Sequence, residues 1–354
     1  MSKKIVTTSG GKFMLDGRPF RFVGVNMYEL AYVDEVTMHK MLQSAADQGF
    51  NAVRFWAFVT MPLNNISSIC RIASELNIRL IPVFADMNEF LQGYRVNDEW
   101  FLDKYKGNYT KHYETLVGAL AESPEILLWE IINEPMTSQF EIILDFASNV
   151  SEKIKQIDPL HAVSIGTIGG IGDRFGSELS RFSYSNFKRL YSIKTLDAVS
   201  MHDYSFSSSL LERADLYFRL KSRSRKSIVT NKLDTIISAL PDVIDETLVR
   251  NFGRTFDFPF SLRSVWRYYN KLNLQIAKSL EKPVYIGEIG IKKKYRDLRK
   301  KIVEVELTNH FESGVCGALL WSFETLGRSL DGHDYGFDEK DDFGEIARRL
   351  LDDN

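Results

Sequence analysis

Ile126–Pro135 reads ILLWEIINEP. Its first seven residues are apolar at every position except Glu130, and an amide, a carboxylate and a proline follow them. A short run that is almost continuously apolar is typical of a parallel strand covered on both faces. Because proline is disfavoured within such a strand, Asn133 and Glu134 should lie at its carboxyl end.

Short runs of this kind recur along the chain, and each is followed by a pattern typical of a helix. The eight runs begin near Phe20, Asn51, Leu80, Ile126, Ala162, Asp197, Pro283 and Cys316. Successive starts are separated by 31, 29, 46, 36, 35, 86 and 33 residues. Eight strand–helix repeats predict an α/β fold of the (β/α)8 TIM-barrel type rather than an open doubly wound sheet.

Two segments fall outside this repeat. Gly11–Phe22 alternates apolar and polar residues around an Asp-Gly turn, which predicts an N-terminal β-hairpin under the barrel. Phe206–Phe260 is a helical insertion of 55 residues after the sixth strand. Its position favours a role in shaping a binding cleft, and a role in stability alone stays open. No Pro-, Gly- or Ser-rich boundary divides the chain, so we expect a single catalytic domain over residues 1–354 with 206–260 as an inserted subregion.

Composition limits the classes of function. The 354 residues include 45 Lys and Arg and 47 Asp and Glu, and the net charge of −2 argues against nucleic-acid binding. No apolar run reaches the ~18 residues needed to cross a bilayer, so we expect no membrane partner. The opening residues lack the apolar stretch of a secretion signal, which predicts a soluble protein, either cytoplasmic or secreted with its leader removed. Cys70 and Cys316 make no disulfide framework, and the oligomeric state stays open.

Two strand ends carry carboxylates. Glu134 closes the fourth run and Glu288 closes the seventh. Strands four and seven lie across the barrel from each other, so the two side chains should face one another over its mouth. Glycoside hydrolysis requires such a pair, because one group protonates the leaving oxygen while the other attacks the anomeric carbon or activates water.

The residues at five strand ends together resemble clan A of the retaining glycoside hydrolases, and within it glycoside hydrolase family 5. They are Val53–Trp56 on the second strand, Asn133–Pro135 on the fourth, His202–Tyr204 on the sixth, Gly287–Glu288 on the seventh and Trp321 on the eighth. The resemblance extends from Phe20 to Phe323, nearly the whole chain. It implies hydrolysis of β-linked polysaccharide or oligosaccharide by double displacement, which needs neither a metal nor another cofactor.

The resemblance implies a role for each carboxylate. Glu134 is the expected acid/base and Glu288 the expected nucleophile. Arg54 would lower the pKa of Glu288, and the hydroxyl of Tyr204 would orient it through a hydrogen bond. Burial and the charge of Glu288 would raise the pKa of Glu134, so that it holds a proton near neutral pH.

Other side chains are expected to contact the sugar or to support those that do. Asn133 would bond the 2-hydroxyl, and Trp321 would offer the ring an apolar face. His202 is either a contact of the reactive sugar or a structural histidine. Glu130 lies in an apolar strand and must be paired if it is buried, which favours structural support of Arg54 or His202.

Four segments resemble β-mannanases more than cellulases. They are Gly24–Tyr28, Val53–Phe58, Phe84–Asn88, which lacks a histidine often found there in cellulases, and Asp331–Phe337. The resemblance therefore implies cleavage of β-1,4-mannosidic linkages in mannan or manno-oligosaccharides, with a β-1,4-glucanase or an exo-acting β-mannosidase as the alternative. Because a long loop can close one end of a groove, the insertion leaves endo action open. Candidate sugar platforms are Trp56, Tyr28, Trp100 and Tyr335.

Other chemistries are less well supported by the sequence. Gly166–Gly172 is rich in glycine but lacks the Gly-Lys-Ser/Thr of a phosphate loop, so we interpret it as an ordinary loop. His333 lies between Asp331 and Asp334, yet no second cluster completes a metal site, and we predict none. A catalytically silent carbohydrate-binding barrel is disfavoured by the intact pair of carboxylates.

Overall fold

The computed structural model describes residues 4–87, 90–170, 183–206, 262–326 and 334–352. Apart from Phe206, the predicted insertion at 206–260 lies outside the described residues. The same is true of Asn88, Ile171–Gly172 and Asp331–His333, which the sequence analysis also uses.

Eight parallel strands form the barrel. They are β4 (Phe22–Met27), β5 (Ala52–Trp56), β6 (Arg79–Val83), β7 (Leu128–Asn133), β8 (Ala162–Gly166), β9 (Val199–Phe206), β10 (Val284–Ile291) and β11 (Gly317–Trp321). Strands adjacent in the chain lie side by side, and β11 pairs with β4. Side chains bridge β8 and β9, because the Tyr191 hydroxyl donates to Ile165 O at 2.7 Å and accepts from Ser200 N at 3.1 Å. The predicted (β/α)8 barrel is confirmed.

Helices alternate with these strands. Within the described ranges they are α1 (Glu35–Gln48), α2 (Leu63–Leu76), α3 (Asp98–Leu102), α4 (Asn108–Leu120), α5 (Phe140–Ile157), α6 (Tyr184–Tyr191), α7 (Leu262–Ser279), α8 (Arg299–Glu312) and α9 (Gly344–Asp352). Asp34 caps α1 by accepting from Thr37 N at 2.9 Å, and Gly49 ends it at a φ of 89°, which a residue without Cβ adopts readily. None of the described helices is both long and apolar enough to cross a membrane.

A small antiparallel sheet precedes the barrel. Its strands are β1 (Thr7–Ser9), β2 (Lys12–Leu15) and β3 (Arg18–Pro19). The turn between β2 and β3 contains Asp16 and Gly17 at φ values of 55° and 74°, as the Asp-Gly signal predicts. Phe13 is fully buried, with its ring centroid 5.6 Å from that of Phe22 and 6.4 Å from that of Tyr285. The hairpin therefore closes the amino-terminal end of the barrel.

The interior of the barrel is apolar at one end and contains charged residues towards the other. Buried apolar side chains such as Phe22, Ile81 and Leu128 fill the end next to the hairpin. Further along the strands, the buried residues include charged ones, Arg54 and Glu130 among them. Because buried charges must be paired, these residues have to form a connected polar group at the carboxyl ends of the strands.

Candidate active site

Two carboxylates meet at the mouth of the barrel. Glu134 directly follows β7, whereas Glu288 lies within β10. A carboxylate oxygen of Glu134 and one of Glu288 lie within 4.8 Å of each other. The Glu134 side chain is 33% exposed and the Glu288 side chain 5% exposed. One carboxylate can therefore exchange protons with solvent, while the other is enclosed.

Glu134 has an unusual backbone conformation. Its φ is 43°, in the left-handed region that costs an ordinary residue about 1–2 kcal/mol. Its N–H nevertheless donates to Gly166 O at 2.9 Å, so the chain leaves the strand while still attached to β8. Backbone strain held in place by its surroundings is concentrated at functional sites, which favours a functional role for this residue.

His202 lies between the two carboxylates. Its Nδ1 is 2.6 Å from Oε1 of Glu134 and 3.7 Å from Oε2 of Glu288. Burial favours the neutral ring, but the charges of Glu288 and Glu134 outweigh it and raise the pKa of His202 above its ordinary value. The sequence left His202 as either a contact of the reactive sugar or a structural histidine, and this position favours the first.

Glu288 is held by two donors. Arg54 Nη1 donates to its Oε1 at 2.8 Å, and the Tyr204 hydroxyl donates to its Oε2. Both contacts agree with the expectation. Burial is the largest effect and raises the pKa of Glu288. The positive charges of His202 and Arg54 lower it, the latter as expected, but they only partly offset burial. Burial and nearby carboxylates also raise the pKa of Tyr204, so its hydroxyl stays a proton donor.

Arg54 links the mouth to the layer beneath it. The side chain is fully buried, and its Nη1 also donates to Asn26 Oδ1 at 2.9 Å. Its Nε lies 3.2 Å from both oxygens of Glu130, and its Nη2 donates to Asn133 Oδ1 at 2.6 Å. Glu130 thus supports Arg54, one of the two roles that the sequence left open for it.

Gly166 makes room for this polar group. A Cβ at this position would lie 2.5 Å from Glu130 Oε1 and 3.2 Å from Arg54 Nη2. We expect Gly166→Ala to cost about 1–3 kcal/mol of folding free energy and to lower kcat/KM, because Arg54 must shift. Gly118→Ala is the control: a Cβ there, on α4, has its nearest neighbour at 3.8 Å. Denaturant unfolding and initial rates measure both variants, and a Gly166→Ala protein as stable and active as the control would contradict the tight fit.

An aromatic wall flanks the carboxylates. Trp56 is fully buried beside Tyr28 and Trp321, at centroid distances of 4.7 and 5.3 Å. Its Nε1 donates to Asp86 Oδ2 at 2.8 Å. Trp321 is only partly buried and Phe90, stacked on Tyr28, is 48% exposed. A sugar at the mouth would therefore meet Trp321 and Phe90 before Trp56.

The remaining platform candidates lie elsewhere or behind the site. Trp100 is buried in a cluster of rings that includes Tyr109 and Phe146, at 5.1 and 5.5 Å, so it is a packing residue. Tyr335 is also buried, and its ring packs 5.1 Å from that of Tyr204. It therefore supports the Tyr204 side chain by packing.

Three residues of the site were not singled out by sequence analysis. Asn26 is the penultimate residue of β4, just as Asn133 is the last residue of β7, and its Nδ2 donates to Gly287 O at 2.9 Å. Asp86 follows β6 and accepts from Trp56 and, at 3.4 Å, from Asn133 Nδ2. A polar residue at a strand end is the signal that would have found both of them. No such signal marks Phe90.

Two groups of described residues bring metal-ligand atoms within 4.8 Å of one another. One is Glu134, His202 and Glu288 themselves. The other is Asp203, Glu306 and His310, where Asp203 Oδ2 and His310 Nε2 already bond directly at 2.8 Å. Direct bonding of the second pair leaves no space for an ion between those two atoms.

Comparison with known families gives one match that covers most of the chain. The sequence model of the family described as Cellulase (glycosyl hydrolase family 5) matches residues 14–324. That interval contains all eight barrel strands and both carboxylates.

Curated relatives match this chain over part of their length. The chain is 24% identical to mannan endo-1,4-beta-mannosidase A of Hypocrea jecorina over a region that covers 57% of this chain and 56% of that protein. It is 22% identical to mannan endo-1,4-beta-mannosidase A of Podospora anserina, with 55% and 63% covered. The chain thus spans between about half and two thirds of the length of these two relatives.

Solved structures share the fold over almost the full length. An endo-1,4-beta-mannanase from Rhizomucor miehei superposes with a TM-score of 0.71 and 17% identity, covering 99% of this chain and 100% of that one. An endo-beta-1,4-mannanase from Thermotoga petrophila gives a TM-score of 0.69 and 20% identity, covering 96% and 78%. At such identities the likeness concerns the fold.

Proposed function

Because the chain belongs to glycosyl hydrolase family 5, we propose that it is an endo-mannanase-like hydrolase of β-1,4-mannosidic linkages that acts by double displacement. The observation that carries the mechanism is the approach of Glu134 and Glu288, whose nearest oxygens lie within 4.8 Å. Retaining glycosidases place their carboxyl groups about 5–5.5 Å apart, and inverting ones about 6.5–9.5 Å. The spacing of Glu134 and Glu288 is close to that of retaining enzymes, which favours direct attack by Glu288.

In the first step Glu288 forms a bond to the anomeric carbon. The bond from that carbon to the leaving oxygen breaks, and Glu134 transfers its proton to this oxygen. Arg54 and Tyr204 each bond one oxygen of Glu288, so the carboxylate enters the reaction with its orientation fixed. The product of this step is an ester between Glu288 and the sugar.

In the second step Glu134, now a carboxylate, removes a proton from water. The water oxygen attacks the anomeric carbon, and the bond to Glu288 breaks. The ring N–H of His202, 2.6 Å from Glu134 Oε1, stabilises Glu134 in this charged state. Two inversions at the same carbon restore the original configuration.

The choice of mannan rests on the relatives. Both curated relatives described above carry the name mannan endo-1,4-beta-mannosidase, and the two solved structures are mannanases. The partly exposed Trp321 and Phe90 provide apolar faces for pyranose rings at the mouth. The alternative substrate is a β-1,4-glucan, and an exo mode on the same scaffold is the alternative to endo action.

Product analysis tests sugar, mode and stereochemistry together. We expect the wild-type protein to release oligosaccharides of mixed length from β-1,4-mannan, with the β-anomer appearing first in time-resolved NMR. Release of mannose alone indicates the exo mode, and faster cleavage of β-1,4-glucan favours the alternative substrate. The α-anomer as first product contradicts double displacement. A Glu288→Ala preparation purified in parallel controls for contaminating glycosidases.

A further inference from the structure

We propose that Glu130, which lies four positions before Glu134 on β7, is a positioning residue for Glu288. It orients Arg54 from below and shares the charge of Arg54 with Glu288, so that Glu288 remains a reactive nucleophile. The functional part of this inference rests on the proposed function, whereas its electrostatic part concerns the folded protein alone.

The guanidinium of Arg54 is divided between two carboxylates. The edge formed by Nε and Nη2 faces Glu130, with Nε at 3.2 Å from both oxygens and Nη2 at 2.5 Å from Oε1. Nη1 faces Glu288 Oε1 at 2.8 Å and Asn26 Oδ1 at 2.9 Å. Nη2 also donates to Asn133. Because a guanidinium has five N–H groups in a rigid plane, these contacts leave it no alternative orientation.

Glu130 is itself fixed and cannot reach the substrate. The side chain is fully buried, and the Tyr285 hydroxyl donates to its Oε2 at 2.7 Å. Gly166 packs against its Oε1, since a Cβ there would lie only 2.5 Å away. A group enclosed in this way can influence the reaction only through the residues it contacts, of which Arg54 is the one that touches Glu288.

The charged groups around Glu288 determine the direction in which Glu130 changes the pKa of Glu288. The groups that face Glu288 are Tyr28 from the end of β4, Arg54 from β5, Glu134 from the end of β7, and His202 and Tyr204 from β9. Arg54 stabilises the Glu288 anion, and Glu130 takes up part of that charge. Neutralising Glu130 would let Arg54 act on Glu288 alone, which lowers the pKa of Glu288 and makes the anion a weaker nucleophile.

Two variants of Glu130 separate charge from shape. Glu130→Gln removes the charge at nearly constant volume, and Glu130→Asp keeps the charge but withdraws it from the guanidinium. The readout is the ¹³C NMR titration of the Glu288 carboxyl in protein labelled with ¹³C-glutamate, with the resonance assigned by its loss in Glu288→Gln. We expect the midpoint to fall by about one pH unit in Glu130→Gln and by a smaller amount in Glu130→Asp, which keeps the charge at a greater distance from Arg54. In kinetics, kcat should fall in both variants with KM little changed.

If Glu130 only held Arg54 in place by packing, both variants would leave the Glu288 midpoint unchanged or shift it by the same amount. That outcome overturns the inference. If Glu130→Gln does not fold, Tyr285→Phe tests the same contacts. In this variant Glu130 loses its neutral hydrogen-bond donor and interacts more strongly with Arg54. Arg54 then stabilises the Glu288 anion less, so the Glu288 midpoint should rise. An unchanged or lower midpoint in Tyr285→Phe contradicts the sharing of charge. Because the titration needs no turnover, a protein that hydrolyses no tested glycan refutes the proposed function and leaves this test valid.

Discussion

Replacing Glu288 with alanine is expected to lower kcat/KM on mannan by roughly 10⁵–10⁶-fold, the scale of removing the nucleophile from a covalent mechanism. The variant should still fold and bind substrate, because Glu288 contributes one of several partners of Arg54. Initial rates measure the loss, and mass spectrometry should find no glycosyl-enzyme with any substrate. A 2-deoxy-2-fluoro mannoside with an activated leaving group should label the wild-type protein on Glu288.

Replacing Glu134 with alanine should give a different pattern. Only proton transfer is lost, so a mannoside whose leaving group is a dinitrophenolate should still react in the first step. The second step lacks its base, and a burst of phenolate followed by slow turnover is therefore expected. Azide, which needs no general base, should restore turnover and give a glycosyl azide of retained configuration.

A surface carboxylate provides the control for both variants. Glu99 is 67% exposed and pairs only with Lys104, at 3.0 Å, among the contacts of the described residues, so Glu99→Ala should be as active as the wild type. Equal losses on activated and unactivated substrates in Glu134→Ala would contradict its role as the acid. Labelling of any residue other than Glu288 would contradict the assignment of the nucleophile.

The sequence predicts well the features that depend on local patterns of residues. Apolar runs of strand length and the helical patterns between them are enough to predict eight parallel strands. Because the strands of a barrel have their carboxyl ends at one face, the strand assignment also predicts that four polar residues lie together: Asn133, Glu134, His202 and Glu288. The partners of Arg54 are only partly predictable, because they come from β4, β7 and β10. The sequence analysis names Glu130 and Glu288, but no spacing indicates that Asn26 and Asn133 also contact Arg54.

The bulges in the strands are another feature that the alternation of side chains along a strand cannot predict. Side chains three positions apart on a regular strand point to opposite faces. On β10, however, Tyr285 and Glu288 both reach the barrel interior, because Gly287 is an extra residue where the register with β9 shifts. Without this bulge, Glu288 would face the surrounding helices.

The strand across the barrel, β7, has the same irregularity. The step from Glu130 to Asn133 on β7 matches a step of only two residues on β8, from Ser164 to Gly166. As a result both Glu130 and Asn133 bond Arg54. The two strands that supply the carboxylates therefore each carry a bulge, and the sequence signal for one of them is a glycine beside a carboxylate, which is also common in ordinary turns.

Replacing Arg54 with leucine is expected to cost about 3–5 kcal/mol of folding free energy at pH 7, the usual effect of removing one partner from a buried ion pair. Arg54 is the partner of two buried carboxylates, Glu130 and Glu288, so the variant leaves both without their guanidinium. Leucine fills part of the volume but supplies no donor. Urea unfolding at pH 7 measures the loss.

The pH dependence of this loss distinguishes charge from packing. Arg54 lowers the pKa of Glu288, whose folded-state value burial already raises, so removing Arg54 should raise it further. A carboxyl with a raised folded-state pKa destabilises the protein above that pKa and not below the unfolded value of about 4.3. The stability gap between the variant and the wild type should therefore be large at pH 7 and should narrow as the pH falls towards 4.5.

An exposed arginine with the same number of carboxylate partners provides the control. Arg71 is 51% exposed and pairs with Glu35 and Glu75 on the helical surface. Solvent screens such pairs, so Arg71→Leu should change the folding free energy at pH 7 far less than Arg54→Leu does. A loss in Arg54→Leu that stays constant from pH 7 to pH 4.5 would show that the cavity left by the side chain dominates. A loss no larger than that of Arg71→Leu would mean that Glu130 and Glu288 are stabilised by other donors, and Arg54 would then be dispensable for the fold.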